Sequence, residues 1–277
     1  MEYRAGMNME KKNILDLFHA SNEEALDVTL SDILPEVAKQ ISEMAVSEAT
    51  ASIICEIIGA VFPRINHIRL GWKQNRLERN LKKAIEELQK NDLLIAVQME
   101  NLIECNQDQM FRTQYCEMML DAIYDEIQES KVRYGINGYI NLMCVENPNE
   151  DMALMFFKTL TELSDLDIRV LKIFSYEYED NYYTMMQEVD ISDMQYRFVK
   201  EKLERFGLLQ SKNADIRDTD LAAIIGYLKD INKQSNSKNP KTVKFPNKIK
   251  DLARSDSYKI TSLGRQFLKL TEPISES

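Results

Sequence analysis

From Leu70 to about Ile103 the chain repeats apolar residues close to a heptad spacing: Leu70, Leu77, Leu81, Ala84, Leu88, Ile95, Met99 and Leu102, with Asn91 at an otherwise apolar step. Apolar residues returning at three- and four-residue intervals over such a length predict one long, coiled-coil-like helix with a continuous seam. A seam of that kind has to be covered, by a helix of the same chain or by a second copy. Leu77, Leu81, Leu88, Ile95, Met99 and Leu102 are the residues expected to form it as an association seam.

The remainder of the chain is written in the same style. Only 8 Gly and 6 Pro occur in 277 residues, too few turn-formers for an all-β protein of this size. Pro35 to Phe62 carries Val37, Ile41, Met44, Ala45, Ala51, Ile54, Ile58 and Val61 at helical intervals, with Pro35 in the first turn and Pro63 expected to kink or end the helix. Asp108 to Gln128 and Lys131 to Cys144 read as two more helices, and Asn147-Pro148-Asn149 as a turn and soft boundary. Beyond it lie helices over Met152–Leu163 and Asp165–Ser175, and a short one over Met185–Glu188. Ser192 and Asp193 cap a helix through Phe206, and Gly207 supplies its stop signal. Leu208–Gln210 and Tyr258–Ile260 read as short strands, Asp218–Asn232 as helix, Ser235–Asn247 as a polar loop, and Thr261-Ser262 as the cap of a last helix to about Leu270. The expected fold class is mainly α: a helical bundle and association region over 1–150, and a second domain over 151–277.

The formal net charge of −10 argues against a protein that coats nucleic acid through overall charge. The excess acid lies in residues 1–160, however, and the rest is about neutral. There, Lys229, Lys233, Lys238, Lys241, Lys244, Lys248 and Lys250 face Asp230 alone, which makes a local basic tract. A second basic run, Arg64, His67, Arg69, Lys73, Arg76, Arg79, Lys82 and Lys83, follows the apolar stretch Ala51–Phe62. Such a pairing can lie on an anionic membrane, but a buried helix followed by a solvated basic face is the expectation, and a membrane-surface role ranks last. No signal-peptide core opens the chain, and Ala51–Phe62 is too short to span a bilayer, so a cytoplasmic location is expected.

Chemistry-bearing patterns are scarce. Cys55, Cys105, Cys116 and Cys144 have no metal-ligand spacing and read as ordinary reduced thiols. Gly135-Ile-Asn-Gly138 is the closest approach to a phosphate loop, but no Gly-Lys-Ser/Thr follows. His19 and His67 are the only histidines, neither in a catalytic pattern. Neither a catalytic site, a metal nor a cofactor is expected.

Two resemblances sharpen the picture. Glu204-Arg-Phe-Gly-Leu-Leu209, a hydrophilic excursion and Tyr258-Lys-Ile-Thr-Ser-Leu-Gly-Arg-Gln-Phe-Leu268 resemble the end of winged-helix domains of bacterial regulators. The residues that carry this are Leu203, Phe206, Gly207, Leu208, Leu209, Ile260, Thr261, Leu263, Gly264 and Phe267, within about a hundred residues. The resemblance implies a C-terminal winged-helix-like domain with a small β-wing. It also implies, for a DNA-binding member, base contacts from Gln195, Arg197, Lys200 and Lys202, with Lys241 and Lys244 on phosphates. Asp193, Glu201 and Glu204 share that helix and repel phosphate, and Leu209 to Tyr258 is longer than an ordinary wing. Protein docking is therefore the leading expectation.

The whole chain is also similar to helical proteins of bacterial and prophage genomes of the Abi-alpha, abortive-infection type. The likeness rests on Gly59-Ala-Val-Phe-Pro-Arg with Arg76-Leu-Glu-Arg79, on Phe111 and Tyr115-Cys-Glu-Met-Met-Leu-Asp-Ala122, and on Leu163-Ser-Asp-Leu-Asp-Ile-Arg-Val-Leu171. It implies a role in phage–host conflict and brings no site residues. The expected function is a non-catalytic interaction protein that binds a protein partner or a second copy of itself. A winged-helix DNA-binding transcriptional regulator is the alternative.

Overall fold

Helices carry most of the described chain, and its few strands are two or three residues long. The computed structural model describes residues 12–13, 34–65, 71–145, 148–175, 191–236, 241–246 and 258–273. The elements in order are β1 (Lys12–Asn13), α1 (Pro35–Glu43), β2 (Ala45–Val46), α2 (Glu48–Ile65), α3 (Gly71–Lys90) and α4 (Asp92–Glu104). Then α5 (Asp108–Met110) passes through a π-helical turn (Phe111–Tyr115) into α6 (Cys116–Ile123), followed by α7 (Glu129–Met143), α8 (Glu150–Glu162) and α9 (Asp165–Ile173). Last come α10 (Asp193–Arg205), β3 (Leu209–Ser211), α11 (Lys212–Ser235), β4 (Tyr258–Ile260) and α12 (Ser262–Thr271). Two compact units result, Met1–Asp165 with Lys269–Ser277, and Leu166–Leu268. Met185–Glu188, expected as a short helix, lies outside the described residues.

Two helices expected to be continuous are each broken, and one buried carboxylate joins the breaks. The run Leu70–Ile103 is not one helix: Asn91 leaves helical geometry (φ −101°, ψ 15°), and α4 starts afresh at Asp92. The run Pro35–Phe62 is likewise two helices, separated by extended Met44 and by β2, which pairs antiparallel with β1. Ser47 follows β2 and caps α2, its hydroxyl oxygen accepting from the Thr50 N–H at 3.3 Å. The Ser47 backbone N–H and hydroxyl both donate to Asp92 Oδ1, at 2.9 and 2.6 Å. The apolar spacing on either side carries on through both breaks, and the tertiary contact ends the helices. Elsewhere α2 continues past Pro63 to Ile65, and the helix expected to reach Gln128 stops at Ile123.

At the centre of the first unit lies α7, packed against α3, α4, α6 and α8. Its Gly135-Ile-Asn-Gly138 stretch is a contact surface between helices. A Cβ at Gly135 would lie 2.7 Å from Ile123 Cγ2, and one at Gly138 would collide with the edge of the Phe156 ring. Glycine here is what lets α6 and α8 approach. The helix ends around α7 are closed by asparagine amides. Asn80 Nδ2 donates to the carbonyls of Ile123 and Glu126, both at 2.8 Å, at the end of α6. Asn137 donates to Thr271 O at 3.0 Å, and Asn141 to Leu270 O and Glu272 O at 3.0 and 2.9 Å. The Leu270 and Thr271 carbonyls belong to the last turn of α12, which has no intrahelical donors left for them, and Glu272 follows directly.

Two glycine substitutions in this unit therefore act in opposite directions. Gly138→Ala forces Phe156 aside and lowers stability by about 1–3 kcal/mol, the cost of overpacking. Phe156→Leu in the same chain recovers part of that loss. Gly59→Ala, on α2 with open space around it, raises stability by up to ~1 kcal/mol through helix propensity. Urea denaturation of the three variants checks this. A neutral Gly138→Ala would show that the close approach matters little.

Candidate interaction surface

Within the second unit a short capped helix, two strands and a long helix are fixed by local chemistry. Ser192 and Gln195 form a reciprocal capping box: the Ser192 hydroxyl accepts from Gln195 N–H at 3.3 Å, and Gln195 Oε1 accepts from Ser192 N–H at 2.9 Å. Gly207, at φ +69°, takes the left-handed conformation that ends α10. β3 and β4 then pair antiparallel, with Leu209 opposite Ile260 and Ser211 opposite Tyr258. Thr261 Oγ1 donates to Gly207 O at 2.7 Å and accepts from Gly264 N–H at 2.9 Å, capping α12. A Cβ on Gly264 would strike the Leu208 carbonyl, so glycine is required at that crossing.

The residues expected to reach DNA are placed as follows. Gln195 holds the capping box. Arg197 is exposed and pairs with Glu201 one turn on, Nε to Oε1 at 3.3 Å. Lys200 lies over the rings of Tyr196 and Tyr258, at 4.6 and 5.1 Å from their centroids. Lys202 is bound to the buried Asp167 carboxylate at 2.6 Å. The outward face of α10 is instead topped by Met194 and Phe198, 82% and 61% exposed and four residues apart. Lys241 and Lys244 are exposed on a segment lying along α11, with Lys241 N–H donating to Gln234 Oε1 at 2.9 Å and Phe245 edge-to-face on Tyr227. Gln195, Lys200, Lys202 and the Lys241 backbone are thus engaged in contacts within their own unit, and the exposed face of α10 sets Met194 and Phe198 beside the paired Arg197.

The six seam residues are all buried inside the first unit: Leu77, Leu81 and Leu88 on α3, Ile95, Met99 and Leu102 on α4. Helices α1, α2 and α7 cover α3, and α2 and α7 cover α4. The basic run is also met from within. Arg76 pairs with Asp125 at 3.2 Å, Arg79 with Glu129 at 3.5 Å and Lys82 with Glu36 at 3.6 Å, while Arg76 also stacks on Trp72. His19 and His67 lie outside the described residues. No described helix is long and apolar enough to cross a membrane, and the described residues contain no cluster of metal-ligating side chains.

Sequence reasoning missed the most exposed apolar element. Helix α11 carries Ile216, Leu221, Ala222, Ala223, Ile224, Ile225, Tyr227, Leu228 and Ile231, yet none of its described side chains is buried. Its inward face is half-covered, and on the outer face Leu221, Ile225 and Leu228 are 56%, 43% and 57% exposed. On α4, by contrast, the exposed Leu93 and Val97 are followed on the same face by Glu100 and Glu104. The signal was in the sequence: Leu221, Ile225 and Leu228 stand four and three apart, as in a coiled-coil seam. Comparison with family models, curated proteins and solved structures found no match.

The thiols have contrasting environments. Cys116 is buried, and burial, with Glu56 and Glu117 adding to it, pushes its thiol up to about 12. Its thiolate is then only about one part in ten thousand at pH 8. Cys105 is exposed. Alkylation of native protein at pH 8 is expected to modify Cys105, and Cys116 only after denaturant is added, as read by peptide mass spectrometry. Comparable native rates at the two would contradict this burial.

Proposed function

We propose that this chain is a non-catalytic interaction protein whose docking element is α11. The observation that carries the reading is a 24-residue helix, apolar on more than one face, without a buried side chain among those described. Helices apolar around most of their circumference belong in a core, and an exposed apolar row marks an interaction site. The order α10, β3, β4, α12 supports a winged-helix architecture, in which α11 occupies the connection that an ordinary wing would make with a short turn. Met194 and Phe198 on α10 favour protein over phosphate as the thing met by that helix. The likeness to abortive-infection proteins supports a setting in phage–host conflict.

DNA binding separates this reading from a transcriptional regulator. Purified full-length protein is mixed with genomic DNA fragments at low and moderate salt, and the recovered fragments are sequenced. No enriched sequence is expected at either salt. Enrichment of one short two-fold site, steeply salt-dependent and lost in Arg197→Ala/Lys200→Ala, would make the chain a regulator and overturn the proposal.

A further inference from the structure

We infer that α11 pairs antiparallel with α11 of a second copy of this chain; the inference rests on reading α11 as the docking element. A two-fold contact uses the same patch on both molecules, so the patch must complement itself. The row Leu221, Ile225, Leu228 has the four–three spacing by which two helices interlock side chains, and Ala222 and Gly226 beside it are exposed and small enough to admit a neighbouring backbone.

Charge sets the direction. Ahead of the row stand Arg217, Asp218 and Asp220, and behind it Lys229, Asp230 and Lys233, so the helix has an acidic first half and a basic second half about the row. In the spacing of the row, Asp218 is the preceding seam position and Asn232 the following one. A parallel pair would set Asp218 against its own copy across the seam, two carboxylates facing each other beside apolar side chains. In an antiparallel pair centred between Leu221 and Ile225, Asp218 comes level with Leu228 and Lys229 of the other copy, and each end meets the opposite charge. Like charges facing across a seam disfavour one orientation, and opposite charges favour the other. The apolar row drives the association, and the charges select its sense.

Sedimentation velocity of the full chain over a dilution series tests this. Wild-type protein is expected to be a dimer that dissociates on dilution. Ile225→Glu should be monomeric at every concentration, with an unchanged circular dichroism spectrum and thermal transition. Asp218→Lys should weaken the dimer by roughly two- to thirty-fold, because the two-fold axis doubles the effect of each exposed pair. Adding Lys229→Asp should restore it, which a parallel pair would not do. A wild-type monomer throughout, or a dimer indifferent to Ile225→Glu, overturns the inference. In that monomer, slow amide exchange over 221–228 would assign the row to another stretch of this chain, and fast exchange to a different protein. Fast exchange leaves the reading as an interaction protein standing, slow exchange removes the exposed row that carries it, and sequence-specific DNA binding overturns it independently.

Discussion

The first unit depends on how closely α8 can approach α7. Phe156 occupies the space that a side chain at Gly138 would need, and Ile123 does the same at Gly135. Because interiors are packed to crystal-like density, a displacement of the central helix by even a methyl group would be felt by every helix resting on it. The backbone of α7 is thus the datum from which α3, α4, α6 and α8 take their positions. Glycine costs helix propensity at these two places, and the packing of Phe156 and Ile123 offsets it.

The polar interior follows the same economy. Asn80, Asn137 and Asn141 close helix ends, Ser47 and Asp92 join two helix starts, and Lys131 meets Glu126 at 2.6 Å in a nearly dry setting. A half-satisfied buried group costs more than its bond contributes, so such groups survive where both partners are fixed by packing. The phenol of Tyr139 shows it: fully buried with its ring edge-on to Phe111, it donates to the Phe111 carbonyl that begins the π-helical turn.

Local signals were legible wherever the deciding interaction is local. Ser192 as the cap of α10, Gly207 after it, and Thr261 before α12 each act within a few residues, and each was readable directly. What could not be read was decided at a distance. Nothing near Asn91 says that Asp92 will be needed by Ser47, forty-five residues earlier, so two helices looked like one. The seam from Leu77 to Leu102 was legible as apolar but silent about its cover, because periodicity says which face is buried and not against what. α11 was legible as a helix. Its significance lay in what fails to cover it, and only the fold around it could reveal that.

The first unit is discontinuous in sequence, since Asn137 and Asn141 find their acceptors in residues 270–272. During synthesis, a chain leaves the ribosome from its N-terminus and domains tend to fold as they emerge. Here the whole of Leu166–Leu268 must be made before the buried Asn137 amide meets its carbonyl, and an unmet buried donor costs about 1–3 kcal/mol. The unit begun at Met1–Asp165 is therefore completed only after Leu166–Leu268 has been made. A nascent chain halted anywhere before Thr271 would hold a helical bundle with an open polar notch, closed only once residues 270–272 have been made.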